Sequence, residues 1–237
     1  MHGSNMLPYL MRRYAARSLA EVGVCTGQTS VSVLDTALRS GVQLERYYLI
    51  DAWGSRACRP GCGCHSKLQK VAARFPELTL LRGYSVPTAP RVPNASLDLA
   101  FIDAAHDFAN ARADILAYWP KVKRTGVMAG HDFAHYRNWA GLREEWAAGI
   151  RPPPPTKQGV KERVPPAYGV AQATQELFPH CRVQVLWNVW WVEMAECAGP
   201  MTDNFDHNLG NRPLQPRRKG AGNRAAKKQA SALEVGP

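Results

Sequence analysis

Four carboxylates and two histidines stand in or at the ends of short apolar runs: Glu21, Asp51, Asp103 and Asp132, with His106 and His131. Carboxylates at such ends can accept hydrogen bonds from hydroxyls or hold a divalent cation. An imidazole with a pKa near 6.5 can take a hydroxyl proton at neutral pH. Beside Glu21 lies the run Glu21-Val22-Gly23-Val24-Cys25-Thr26-Gly27, whose glycines let backbone approach a ligand closely. About two dozen residues later, Tyr47-Tyr48-Leu49-Ile50 closes on Asp51. A strand, a glycine turn, a helix and a second strand capped by an acid form a half-fold that grips an adenosine-containing cofactor, the acid taking the ribose hydroxyls. Any one of these acids can instead be a turn or helix-capping residue, and His106 can equally cap the helix that follows it. Four at successive strand ends argue for a shared crevice.

The elements that must position these groups follow from periodicity and punctuation. A helix is expected over Leu7–Ala20, leading into a strand over Ser18–Val24. Then come a helix Ser30–Arg39 stopped by Ser40-Gly41, a strand Arg46–Asp51, a helix Lys67–Arg74 and a strand Leu78–Arg82 followed by Gly83-Tyr84-Ser85. A strand Leu97–Asp103, a helix Phe108–Trp119 and a strand Gly126–Ala129 ending in Gly130-His131-Asp132 continue the alternation. A helix Trp139–Ala148 precedes the prolines Pro152 to Pro155, which exclude helix. The chain resumes as a helix Val170–Leu177 and two strands, Arg182–Leu186 and Val189–Met194, paired as a hairpin around Trp187-Asn188. Trp190 and Trp191 point to opposite faces, one toward the core and one toward the edge. Five βα units and a terminal hairpin imply an α/β fold: a doubly wound, Rossmann-like, mostly parallel sheet with a C-terminal antiparallel β-hairpin. Ligands bind such sheets outside the carboxyl ends of the strands, where the strand order reverses.

Together with Arg82-Gly83-Tyr84-Ser85, Leu97 to His106 and Gly126 to Asp132, these motifs resemble the class I S-adenosylmethionine-dependent methyltransferases. The similarity is to their small-molecule O-methyltransferase branch, of catechol and macrolide-sugar type, and runs from about Leu7 to Glu193. The resemblance implies that Glu21, Gly23, Thr26 and Gly27 line the methionine and ribose portion of S-adenosylmethionine. Asp51 would hold the ribose, Ser85 would sit beside the adenine, and Asp103 would lie near the sulfonium. It places a basic catalytic residue at His106, with Asp103. In catechol-type relatives an acid after the fourth strand and two polar residues after the fifth bind a divalent metal; those positions match Asp103, His131 and Asp132. Mg²⁺ prefers oxygen ligands, whereas His131 suits Mn²⁺ or Zn²⁺ better; alternatively His131 only orients Asp132. The expected activity is methyl transfer to a hydroxyl of a small-molecule acceptor. The alternatives are an RNA or protein methyltransferase recruited by a basic tail and a non-catalytic cofactor-binding module. The glycine turn lacks the third glycine of a nicotinamide-dehydrogenase fingerprint.

At 237 residues and 45% hydrophobic content the chain fits one globular domain with decorations. The expected division is a methyltransferase domain over 1–200 and a basic, disordered tail over 201–237. The net charge of +11 is partly local, since seven basic and no acidic residues fall between Arg212 and Lys228. A solvated tail is the favoured reading over nucleic-acid contact, as no aromatics interleave its cations. No apolar run is long enough to span a bilayer and no signal sequence is evident, so a cytoplasmic protein is expected. The six cysteines form no regular framework and are expected to be reduced thiols. Cys58, Cys62, Cys64 and His65 crowd too closely for an ordinary zinc tetrahedron, and read better as a reduced lid loop. Trp53 stands where it could cover the adenine or rim the acceptor pocket.

Overall fold

The chain is described here from a computed structural model covering residues 6–54, 63–133, 167–186 and 188–200. The elements are α1 (Met6–Arg13), β1 (Ser18–Val22), α2 (Gln28–Ser40), β2 (Arg46–Asp51), α3 (Cys64–Ala72), β3 (Leu78–Arg82), α4 (Ser85–Thr88), β4 (Leu97–Ile102), α5 (Phe108–Tyr118), β5 (Val122–Gly130), α6 (Ala167–Leu177), β6 (Gln184–Leu186) and β7 (Val189–Glu193). The strands form one seven-stranded sheet in the order β3-β2-β1-β4-β5-β7-β6. The first five are mutually parallel, and β7 joins β5 antiparallel with β6 outside it. This is the expected doubly wound sheet with its antiparallel hairpin. The order reverses between β1 and β4, which sets the crevice at their carboxyl ends.

Strand alternation divides the core into two layers. One face carries Val22, Ile50, Ile102, Met128 and Trp190 against Ile115 of α5 and Val170 of α6. The other carries Leu19, Leu49, Phe101 and Trp191 against Leu10 of α1 and Val33 of α2. Both Trp190 and Trp191 are buried, one in each layer, so neither is the edge residue anticipated. Trp191 donates its Nε1–H to Tyr14 Oη at 2.9 Å, and Tyr14 donates to Glu193 at 2.7 Å, which anchors α1 against β7.

Several boundaries differ from the periodicity reading for local reasons. α1 stops at Arg13, since Ala15 adopts a left-handed φ of 48° and the chain then turns into β1. Asp98 accepts the backbone N–H groups of Arg17 and Ser18 at 2.9 and 2.8 Å, fixing that entry. β1 ends at Val22, before the glycine turn. β5 begins at Val122, where its pairing with β4 is irregular between Leu97 and Leu99. α2 ends on Gly41 at φ 67°, whose N–H caps Ala37 and Leu38 carbonyls, the expected glycine stop. The helix expected over Trp139–Ala148, the proline run, Trp187 and the basic tail lie outside the described residues.

The expectation of reduced thiols fails at three of the described cysteines. Cys181, after α6, and Cys197, after β7, are joined by a disulfide with Cα atoms 4.9 Å apart. Sequence spacing could not show this, because only the packing of α6 beside the hairpin brings the two ends together. Cys64 is also disulfide-bonded, which removes it as a zinc thiolate. Cys58 and Cys62 lie outside the described residues. Cys25 retains its thiol.

Candidate functional site

The glycine turn is built by backbone. Gly23 has a φ of 94°, and a Cβ there would stand 2.0 Å from the Asp103 carbonyl oxygen. The Asp103 N–H donates to the Val22 carbonyl at 2.7 Å, and the Gly23 N–H to that of Ile50 at 2.9 Å. Glycine is therefore needed at position 23 because the end of β4 occupies the space of any side chain. Gly27, at φ 80°, faces Leu68 of α3.

Asp51 closes the other side of the turn. One carboxylate oxygen accepts the Cys25 backbone N–H at 2.8 Å and the other accepts that of Trp53 at 2.6 Å. Cys25 and Trp53 both have left-handed φ values, 48° and 40°. Trp53 donates its Nε1–H to the Cys25 carbonyl at 3.3 Å, and its ring lies 4.7 Å from that of His65. Trp53 is buried and braces the turn from behind. Thr26 is exposed at the turn's tip.

Glu21 is not gathered into the crevice. It is buried, and its Oε2 accepts from Tyr47 Oη at 2.5 Å and Ser30 Oγ at 2.7 Å, locking β1 to β2 and α2. Burial raises its carboxyl to about 7 against those hydrogen bonds. Ser85, opening α4, donates its hydroxyl to the buried Asp114 of α5, and its carbonyl accepts Tyr118 Oη at 3.1 Å. Burial pushes Asp114 to about 7.

The remaining predicted residues do converge. His106 Nε2 lies 2.9 Å from Asp132 Oδ2 and 3.8 Å from Asp103 Oδ1. His131 Nδ1 lies 3.1 Å from Asp132 Oδ1 and 3.7 Å from Asp103 Oδ1. Asp103 and Asp132 together push His106 up to about 10. Burial lowers His131, but the same two carboxylates outweigh it and raise it. For Asp132 burial is again outweighed: the two imidazoles hold its carboxyl below the ordinary range. His106 does not cap α5; Asp107 does, accepting the Asn110 N–H at 3.1 Å. Asp103, His131 and Asp132 offer ligand atoms within 4.8 Å of one another, close enough to share one metal ion. Two carboxylates and an imidazole fit a divalent cation, with the imidazole favouring Mn²⁺ or Zn²⁺ over Mg²⁺.

Sequence reading missed three residues that shape this cluster. A Cβ on Gly130 would stand 2.7 Å from Trp190 Nε1, so glycine lets β5 pass under that ring before delivering His131. Gly169 lets α6 close on the backbone of His106 and Phe108, where a Cβ would meet both at 2.4 Å. Asn188 donates its Nδ2–H to Asp132 Oδ1 at 2.8 Å. A glycine in a helix and an asparagine in a hairpin turn are ordinary punctuation, and nothing in their local sequence signals the site.

Residues 20–133, from the glycine turn through Asp132, match the family model of a methyltransferase domain. The chain carries a methyltransferase domain. Among solved structures, the O-methyltransferase from Bacillus cereus in complex with SAH shares 13% identity at a TM-score of 0.55, over 80% of each chain. The O-methyltransferase TomG from Streptomyces achromogenes, in complex with SAM, shares 15% identity at 0.51, over 80% of this chain and 77% of that one. CalS11, a TDP-rhamnose 3′-O-methyltransferase, shares 17% identity at 0.53, with coverage of 80% and 77%. At these identities the structures establish the fold. No curated protein matches the sequence. The resemblance to class I S-adenosylmethionine-dependent methyltransferases is borne out, and with it the reading of this methyltransferase as an enzyme. No helix among its described residues is long and apolar enough to cross a membrane.

Proposed function

We propose that this methyltransferase moves a methyl group from S-adenosylmethionine to a hydroxyl of a small-molecule acceptor. One observation carries the reading: the glycine turn and the acid–histidine cluster are contiguous. The Asp103 backbone fills the space beside Gly23 while its side chain joins His106, His131 and Asp132. A cofactor on the turn is thereby brought next to charged groups suited to an acceptor oxygen. The structural neighbours that are O-methyltransferases support the hydroxyl as the acceptor atom.

The reaction forms an acceptor O–CH₃ bond as the S–CH₃ bond of the sulfonium breaks, its electron pair staying on sulfur, and the hydroxyl proton passes to bulk water. The chain contributes position and electrostatics. Asp51 and the turn from Gly23 to Gly27, with Thr26 at its tip, hold the ribose and methionine portions. Ser85 stands on the adenine side, with Asp103 toward the sulfonium and Glu21 setting the shape of the turn from beneath. Asp103, His131 and Asp132 would hold a divalent cation, which when bound polarises an acceptor hydroxyl. Beside the Asp103 and Asp132 carboxylates, which push its pKa up to about 10, His106 is favoured as an imidazolium, a cation that steadies a developing alkoxide. Its service as a proton acceptor requires that their charge be taken up. The catalytic domain spans 1–200, and 201–237 is an appended basic tail.

Calorimetric titration with S-adenosylmethionine tests the reading. Wild type is expected to bind, and Asp51→Ala to bind at least about tenfold more weakly through loss of the ribose contact and the turn's anchor. Absent binding by wild type, or equal binding by both, would overturn it.

A further inference from the structure

We infer that Asn188, in the turn of the β6–β7 hairpin, is the positioning residue that fixes Asp132 in the acid–histidine cluster. The inference rests on the methyltransferase reading only for its link to the reaction; the contact itself is independent of it.

Strand register dictates the meeting. β5 and β7 pair antiparallel with Gly130 opposite Trp190. Two residues further on, that register sets Asp132 opposite Asn188. Two hydrogen bonds then bracket the site. The Asn188 side-chain amide donates to Asp132 Oδ1 at 2.8 Å, and the Asn188 backbone carbonyl accepts the Phe133 N–H at 3.2 Å. An ionised carboxylate only accepts, so the amide nitrogen must be the atom facing it.

Asp132 needs such a grip. Its φ of 54° is left-handed, a conformation that residues with a Cβ rarely adopt and that surrounding contacts must hold. Its oxygens are divided between partners: Oδ2 faces His106 at 2.9 Å, while Oδ1 faces His131 at 3.1 Å and Asn188. The amide holds Oδ1 without adding charge, which keeps the carboxylate plane turned so that Oδ2 stays with His106. The hairpin is suited to this task because the Cys181–Cys197 disulfide closes its open end, opposite the turn. Nearby Trp190 lies buried over Gly130.

The test uses the full chain with Asn188→Ala and the near-isosteric Asn188→Asp. Gln184→Ala serves as control, since Gln184 lies in the same hairpin but bonds Glu193 at 2.8 Å, away from the cluster. Side-chain ¹⁵N spectra of His106 and His131 at one pH, without metal, report the hydrogen bonding of Asp132. Mn²⁺ affinity reports its presentation to a cation. Both Asn188 variants are expected to shift the two histidine signals, and Asn188→Ala to weaken Mn²⁺ about tenfold or more, as loss of an outer partner of a metal ligand does. S-adenosylmethionine affinity should change less than about twofold, because Asn188 bonds Asp132 and Phe133 whereas the turn from Gly23 to Gly27 is held by Asp51, Ile50 and Val24. Unchanged histidine signals and Mn²⁺ affinity would overturn the inference, as would equal shifts in Gln184→Ala, which would reduce Asn188 to a hairpin-stability role. If wild type binds no Mn²⁺, the histidine spectra decide alone. Failure of wild type to bind S-adenosylmethionine would remove the methyl-transfer reading and leave the spectra still testing Asn188.

Discussion

On one side of the β1/β4 switch point the chain works with backbone. Gly23 clears space for the Asp103 carbonyl, Asp51 ties down two N–H groups, and Trp53 braces the Cys25 carbonyl. On the other side it works with charge, setting two carboxylates against two imidazoles within 4 Å. A backbone-built site is stiff and tolerates no added atoms, which suits a fixed nucleoside. A charge-built site can be retuned by one proton or one cation, which suits a step in which charge develops on oxygen.

The sharpest way to separate the two sides is steric. Gly23→Ala should cost about 3 kcal/mol or more, because the new Cβ meets backbone that cannot yield, and the residue is held at positive φ. Gly27→Ala should cost less, since its Cβ meets the flexible end of Leu68. Thermal melts with S-adenosylmethionine titrations check both; equal losses would contradict the backbone account.

Next in size is Glu21, which underlies the backbone side. Its folded pKa of about 7 lies above the unfolded value, so its contribution is complete below about pH 4.5 and is lost as pH rises to about 7. Glu21→Gln stays neutral throughout and should abolish about 2 kcal/mol of that decline in stability. Urea melts at pH 5 and pH 8 measure the difference, and a parallel pH dependence in the variant would refute it.

The charge side should respond to single groups. Asp132→Asn, in metal-free protein, should lower the His106 midpoint from about 10 by at least about one pH unit, since one of the two carboxylates holding its proton is neutralised. Folding stability lost between the unfolded pKa near 6.5 and 10 should shrink by about 1 kcal/mol, His106 being partly exposed. An NMR titration of His106 reads the shift; an unmoved midpoint would assign the proton's hold to Asp103 alone. Smallest is Trp53→Phe, which keeps one aromatic ring but deletes the pyrrole edge and its Nε1–H bond to the Cys25 carbonyl, the bond itself contributing about 0.5–1 kcal/mol. Cofactor affinity should fall about threefold, and no change would mean the turn stands without this brace.

How much of this was legible differs between the two sides. The glycine turn and Asp51 were readable because their chemistry is local: positive-φ glycines and an acid closing an apolar run. β2 and β3 were placed to the residue, since both are short apolar runs with clear stops. Glu21 and Ser85 were recognisable as candidates, but their hydrogen bonds to Tyr47 and Asp114 depend on which layer each side chain enters. The role of His106 was open between cap and site until Asp107 took the cap. The Cys181–Cys197 disulfide had no spacing to announce it.

Composition, apolar periodicity and the acids at strand ends were enough to determine the doubly wound sheet, its terminal hairpin and the crevice where strand order reverses. These follow from short-range rules of period and turn chemistry, which act within a dozen residues. Tertiary structure alone decided that His106 and His131 share Asp132, that Asn188 reaches it across the β5/β7 register, and that Gly169 lets α6 close behind His106. Those contacts join residues tens of positions apart, and register and side-chain direction fix them only once the sheet has closed.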